Sequence, residues 1–131
     1  MTNIEEAREY FSKDIYATET TGIEIVECGE NYAMCSLKAD RKHQNATGHI
    51  MGGAIYTLAD FTFAVASNFS NFPTVTTMSN ISYLASPKGD ILTSKAKLIK
   101  NGKRVCFFEI EISDNLGTKV AVVNITGSHL G

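Results

Sequence analysis

The period of the hydrophobic pattern changes along the chain, and each change predicts an element. Ile4, Ala7, Tyr10 and Phe11 recur at helical spacing behind Asn3 and Glu6, which read as an N-cap and its capping-box partner, so a short amphipathic helix is predicted over residues 4–13. After Gly22 comes a β-branched run, Ile23-Glu24-Ile25-Val26-Glu27, and Gly29-Glu30-Asn31 separates it from Tyr32-Ala33-Met34-Cys35-Ser36-Leu37. Two strands joined by a tight turn fit this stretch. Residues 40–53 follow neither period and read as a loop. From Ala54 to Phe69 the chain is apolar on every side of a helical wheel, which predicts a helix buried all round.

Beyond Pro73 the period becomes two. Val75, Thr77, Ser79, Ile81 and Tyr83 alternate with Thr76, Met78, Asn80, Ser82 and Leu84, and Ser86-Pro87-Lys88-Gly89-Asp90 makes a turn. A strand over 91–99 puts Leu92, Ala96 and Leu98 on one face; the returning strand over 105–112 faces the core with Cys106, Phe108, Ile110 and Ile112. A two-residue Asn101-Gly102 loop would turn Glu109 and Glu111 inward, so a bulged turn with Gly102 left-handed is expected instead. Asp114-Asn115-Leu116-Gly117 is the next turn, and 119–126 the last strand. The last four strands are joined by short turns and are expected to pair antiparallel with their sequence neighbours.

A long apolar helix must be covered. The economical answer is an α+β arrangement, a curved antiparallel sheet of about six strands wrapped around one central helix. Composition agrees: 131 residues and 14.3 kDa suit a single domain spanning 1–131, and 44% apolar with 20% charged residues is an ordinary globular balance. Twelve Lys plus Arg against fourteen Asp plus Glu give a net charge of −2, which disfavours sequence-independent binding to nucleic acid or to an anionic membrane. Cys28, Cys35 and Cys106 form neither a disulfide framework nor a C-x-x-C pair. The start is acidic where a signal peptide is basic, and no run is long enough to span a bilayer, so a cytoplasmic location is expected.

Asp60 stands out on physical grounds. It is the only charged side chain between His49 and Lys88, and it sits among Leu58, Ala59, Phe61 and Phe63. A carboxylate there costs several kcal/mol unless it is paired, hydrated or kept for a purpose; a solvated seam is the plainer alternative. Gly52-Gly53 opens the helix, where unpaired N–H groups and the positive dipole end suit a carbonyl oxygen that gains charge, although helix-entry glycines need no such role. Asn45 offers an amide to a water or carbonyl. His43 and His49 lack companions for a metal site, and no nucleophile elbow, phosphate loop or dinucleotide fingerprint is present.

The string HQNATGHIMGGAIYTLADFTFAVASN, residues 43–68, resembles the signature of hotdog-fold acyl-CoA thioesterases of the phenylacetate-pathway, PaaI-like branch: H-x-N, then G-x-x-H-G-G, then a helix containing L-A-D. The resemblance implies a thioester hydrolase that needs no cofactor. Asp60 becomes the catalytic carboxylate, as nucleophile or general base, Gly52 the oxyanion donor, and Asn45 the group that holds the carbonyl or the water. Two positions depart from the pattern. Met51 stands where the family usually has His before the glycines, and Ala64 where a hydroxyl often lies one turn beyond the carboxylate.

Eight residues of helix separate Gly52 from Asp60 by about 12 Å, so one thioester cannot touch both on one helix. Two copies with antiparallel central helices would form composite sites. A homodimer is therefore expected, and the resemblance implies dimers of dimers. Lys88, and Lys100, Lys103 and Arg104 around the next turn, are candidates for the nucleotide phosphates, with solvated turn charges the plainer reading. Gly53, Met51, Phe61, Phe63 and Tyr56 are candidates for the substrate-facing walls. The rival function is a non-catalytic acyl-CoA binding or sensing domain, favoured by Met51 and Ala64; a hydratase would need a His in register with Asp60.

Overall fold

A computed structural model describes residues 1–130. The first helix, α1 (Ile4–Phe11), starts where Asn3 Oδ1 accepts the Glu6 N–H at 2.9 Å. The return half of the expected capping box is absent, because the Glu6 carboxylate turns to the N–H and hydroxyl of Thr2. The helix also stops two residues short of the expected end. A π-helical turn follows over Tyr16–Thr21, closed by Gly22 at φ 91°, a left-handed conformation that glycine adopts without strain.

The strands are β1 (Ile23–Gly29), β2 (Tyr32–Lys38), β3 (Thr74–Tyr83), β4 (Ile91–Asn101), β5 (Val105–Asp114) and β6 (Lys119–His129). They form one six-stranded antiparallel sheet in the order β1-β2-β4-β5-β6-β3. The β1–β2 turn is the expected tight one, with Asn31 at φ 55°.

One expected pairing is overturned. β3 does not pair with β4 but lies at the sheet edge against β6. The connection over 84–90 has its donors taken by other strands: Leu84 N–H reaches Val120 O at 2.8 Å, and the Lys88 and Gly89 N–H groups reach Asp114 Oδ2 at 2.8 and 2.9 Å. It therefore crosses the ends of β6 and β5 instead of folding back as a hairpin. Burial pushes the Asp114 carboxyl up, but donations from Gly89, Thr118 and Lys88 outweigh it and hold the group well below the usual carboxylate range.

The β4–β5 register aligns the apolar faces as expected, with Leu98 opposite Phe108 and Ala96 opposite Ile110. The device differs in detail. The register shifts between Leu98 and Lys100, so Ile99 is the extra residue, and Gly102 is not left-handed. Lys97 and Lys95 then face Glu109 and Glu111 across the outer surface.

The central helix α2 (Gly52–Asn68) begins at the glycine pair rather than at Ala54. Leu58, Ala59, Phe63, Val65 and Ala66 are buried against the sheet, and Phe63 meets Phe108 edge-to-face at 5.4 Å. The helix is not buried all round, however. Gly53, Thr57, Asp60 and Ala64, at intervals of four, three and four, form an outward stripe that the sheet leaves uncovered. Small side chains hid it from the hydrophobic pattern. Phe63 is thus a core residue and not a wall facing substrate.

Beneath Phe63, β6 approaches so closely that a Cβ on Gly127 would lie 2.6 Å from Phe63 Cζ and 2.9 Å from Cys106 Sγ. Gly127→Ala is accordingly expected to cost about 1–3 kcal/mol in chemical denaturation. An unchanged midpoint would show that the Phe63 ring can move aside.

Candidate active site

The loop ahead of α2 is built around two side chains. His43 is buried, with Nδ1 accepting the Asp40 N–H at 2.9 Å and Nε2 donating to Thr21 O at 2.7 Å, which assigns a neutral ring tying the loop to the π-helical turn. Asn45 Oδ1 accepts the Thr47 N–H, the Thr47 hydroxyl and the His49 N–H at 3.0, 2.7 and 3.1 Å. Its oxygen thus organises the turn. The amide NH2 has no protein partner among the described residues and remains free to donate.

Met51 is the N-cap residue without a side-chain cap, and its own side chain is exposed. The Gly52 and Gly53 N–H groups find no acceptor among the described residues, as expected for the first turn of a helix. Gly52 has a reason to be glycine that the sequence did not disclose. Tyr83 of β3 donates its hydroxyl to Gly52 O at 2.8 Å, and a Cβ on Gly52 would lie 2.9 Å from the Tyr83 hydroxyl oxygen. Gly53 faces open space.

Two turns further along, Asp60 projects from the exposed stripe, and its carboxylate accepts no hydrogen bond from the described residues. Asp60 is exposed in the single chain, yet the cleft walls crowded around its carboxyl group thin its hydration and raise its pKa above the ordinary carboxylate value, and the nearby Asp14 carboxylate raises it further. Asp14 and Ile15, just ahead of the π-helical turn, and Tyr16 and Ala17, its first residues, join Thr57, Phe61 and Ala64 around a cleft of about 310 Å³ beside Asp60. No periodicity marked residues 14–17; the only signal was an acidic residue followed by two large apolar ones directly after a helix. Phe61 forms the inner wall, held edge-to-face by Phe11 at 5.9 Å. Tyr56, half-buried, shares a hydrogen bond with Ser79.

The structure does not bring the cations together. Lys88 lies at the start of β4 and Lys103 and Arg104 beyond its end, roughly 35 Å away at about 3.3 Å per residue. Lys103 and Arg104 border an open cavity of about 620 Å³ with His129, Phe72 and Asn71. Lys88 belongs to the end of the molecule that holds Asp114.

An antiparallel sheet curved around one central helix is the hotdog arrangement. The model of the thioesterase superfamily matches residues 47–123, and the chain belongs to that family. The acyl-coenzyme A thioesterase PaaI of Escherichia coli is 28% identical over 84% of this chain and 79% of its own. The solved structure of the Escherichia coli PaaI protein from the phenylacetic acid degradation operon superposes with a TM-score of 0.89, covering 97% of this chain and 93% of that one at 24% identity. Human acyl-coenzyme A thioesterase 13 is 28% identical over 83% of this chain and 80% of its own. A Streptococcus mutans protein solved with acetyl CoA bound is 26% identical, with a TM-score of 0.79 over 83% of this chain and 91% of that one. The chain is thus a PaaI-like hotdog protein and a thioester hydrolase by family. No helix among the described residues is long and apolar enough to cross a membrane.

Proposed function

We propose that this protein hydrolyses acyl-CoA thioesters to a carboxylic acid and free CoA, and that it does so as a homodimer with two composite sites. The observation that carries the reading is the isolated Asp60 carboxylate, held above its usual pKa on the uncovered stripe of α2. A carboxylate partly stripped of water and placed beside a second negative charge is more basic than one free in water, which suits either attack on a carbonyl carbon or removal of a proton from water. In the base route the water oxygen bonds to the thioester carbon while its proton passes to Asp60, and the C–S bond then breaks to release CoA thiolate. In the nucleophilic route an Asp60 oxygen bonds to the thioester carbon, the C–S bond breaks to expel CoA thiolate and leave a mixed anhydride, and water opens that anhydride to the free acid and the Asp60 carboxylate. In both, negative charge builds on the carbonyl oxygen, and the free N–H at Gly52 supports it.

The dimer reading has two supports. Gly52 and Asp60 lie too far apart along α2 to serve one carbonyl, and antiparallel pairing of the exposed stripes sets Asp60 of one protomer beside Gly52 of its partner. β3, paired with β6 on one side only and with Val75, Met78 and Tyr83 exposed, is an edge strand of the kind that pairs across an interface. The NH2 group of Asn45 would hold the carbonyl or the water. The nucleotide phosphates would engage Lys103 and Arg104, the denser of the two cationic sets, with Lys88 a solvated turn charge. Met51 and Gly53 line the path between.

A panel of CoA thioesters read by free thiol tests the activity, and no thiol release from any member would overturn it. The pH profile is a second expected result. Because Asp60 acts ionised and its pKa is raised, kcat/KM should fall on acidification with a midpoint above the ordinary Asp value of about 3.9. Asp14 and Tyr16 are the titratable groups lining the cleft with it. Asp14→Asn removes a negative neighbour, so the midpoint should move to lower pH.

A further inference from the structure

The cleft beside Asp60 carries more than the carboxylate. Ile15 and Tyr16 are 53% and 67% exposed, an unusual position for two consecutive large apolar side chains. Tyr16 opens the π-helical turn and Ile15 is its N-cap, and π-helical geometry is rare and frequent at functional sites. Together with Ala17, Phe61 and Ala64 they give the cleft hydrocarbon walls and a floor of small residues. Its only charged groups, Asp14 and Asp60, are both acidic, and no cation lines it.

We infer that this cleft is the acyl pocket, that Ile15 and Tyr16 set its preference for medium-chain or aryl acyl groups, and that Asp14 rejects acyl chains ending in a carboxylate. The inference rests on the thioesterase reading above. It commits to the acyl group as occupant because the cleft is continuous with the carboxylate that would face the thioester carbon, and a hydrocarbon tail extending from that carbon can lie against Ile15, the Tyr16 ring, Ala17, Phe61 and Ala64. A second carboxylate on the tail would instead meet Asp14 with no cation to offset the repulsion.

Binding of non-hydrolysable thioethers to the full-length protein, measured by calorimetry, tests the pocket apart from catalysis. Tyr16→Ala and Ile15→Ala should each weaken S-octyl-CoA relative to S-methyl-CoA by about 10-fold or more. Asp14→Asn, near-isosteric and on the surface, should raise the affinity for a carboxylate-ended thioether relative to its methyl-ended counterpart by about 5-fold. Ratios that stay at the wild-type value in all three variants would overturn the inference, and Asp14→Asn alone decides the matter if either truncation fails to fold. The two failures are distinguishable. A protein that shows these ratios but hydrolyses no thioester refutes the catalytic reading, and one that hydrolyses thioesters with unmoved ratios refutes the pocket.

Discussion

Asp60→Asn should lower kcat/KM for acyl-CoA hydrolysis by at least about 10²-fold, the usual range for loss of a positioned proton acceptor being roughly 10²–10⁴. The substitution keeps shape and removes charge, and Asp60 lies at the protein surface with no hydrogen bond to lose, so folding should be untouched. Removal of a desolvated carboxylate next to Asp14 relieves repulsion, which gives the result a second signature: the variant should melt no lower than the wild type. Lost activity with unchanged stability is the pattern of a functional group kept at an energetic cost. Hydrolysis retained at near wild-type rates would remove Asp60 from the mechanism. Multiple turnovers in ¹⁸O-water test the nucleophilic route: label in the Asp60 carboxylate requires an anhydride opened at the Asp60 carbonyl carbon, because the base route forms no bond between Asp60 and the acyl group.

The second large effect comes from mixing two inactive chains. Gly52 occupies the first helical position, where proline is tolerated, so Gly52→Pro deletes the N–H while respecting the helix; Tyr83, exposed at the sheet edge, must swing aside. Gly52→Pro alone should be nearly inactive, as should Asp60→Asn. In a mixed dimer one site receives both substitutions and the other receives neither. Random co-assembly makes half the dimers mixed, each with one intact site, so co-expression should restore about a quarter of wild-type activity. If Asp60 and Gly52 of the same chain served one site, no activity would return. The experiment reports the composite site directly and does not depend on which acyl group is used.

How much of this was legible in the sequence depends on what each feature is made of. Asp60 could be found because charge is absent for many residues on either side of it, and a lone carboxylate in an apolar helix needs an explanation. The core faces of β4 and β5 could be read because alternation has a period of two and a one-residue slip would expose every apolar side chain. The placing of β3 could not. A short connection suggests a hairpin, and only the capture of its N–H groups by Val120 and Asp114 shows that it crosses instead. The outward stripe of α2 was invisible for a different reason. Gly53, Thr57 and Ala64 are small, so they read as core although they leave a helix face open, and Asp60 alone marked that face. Residues 14–17 carry no period, because a π-helical turn repeats nothing long enough to detect.

The pairing of β3 with β6 also governs the order in which the molecule can be assembled. Thr74 and His129, hydrogen-bonded to each other at 2.8 Å, are 55 residues apart in the chain, while every other strand of the sheet finds a partner nearer in sequence or already made. A growing chain therefore carries β3 with both edges open until β6 has emerged, and closing that loop is an entropic debt settled late. During that interval the strand that offers its edge to a second protomer is open on both sides to any other strand. Slow translation before residue 119 would lengthen that exposure, and its cost would be measured in aggregate at the ribosome, not in the stability of the finished fold.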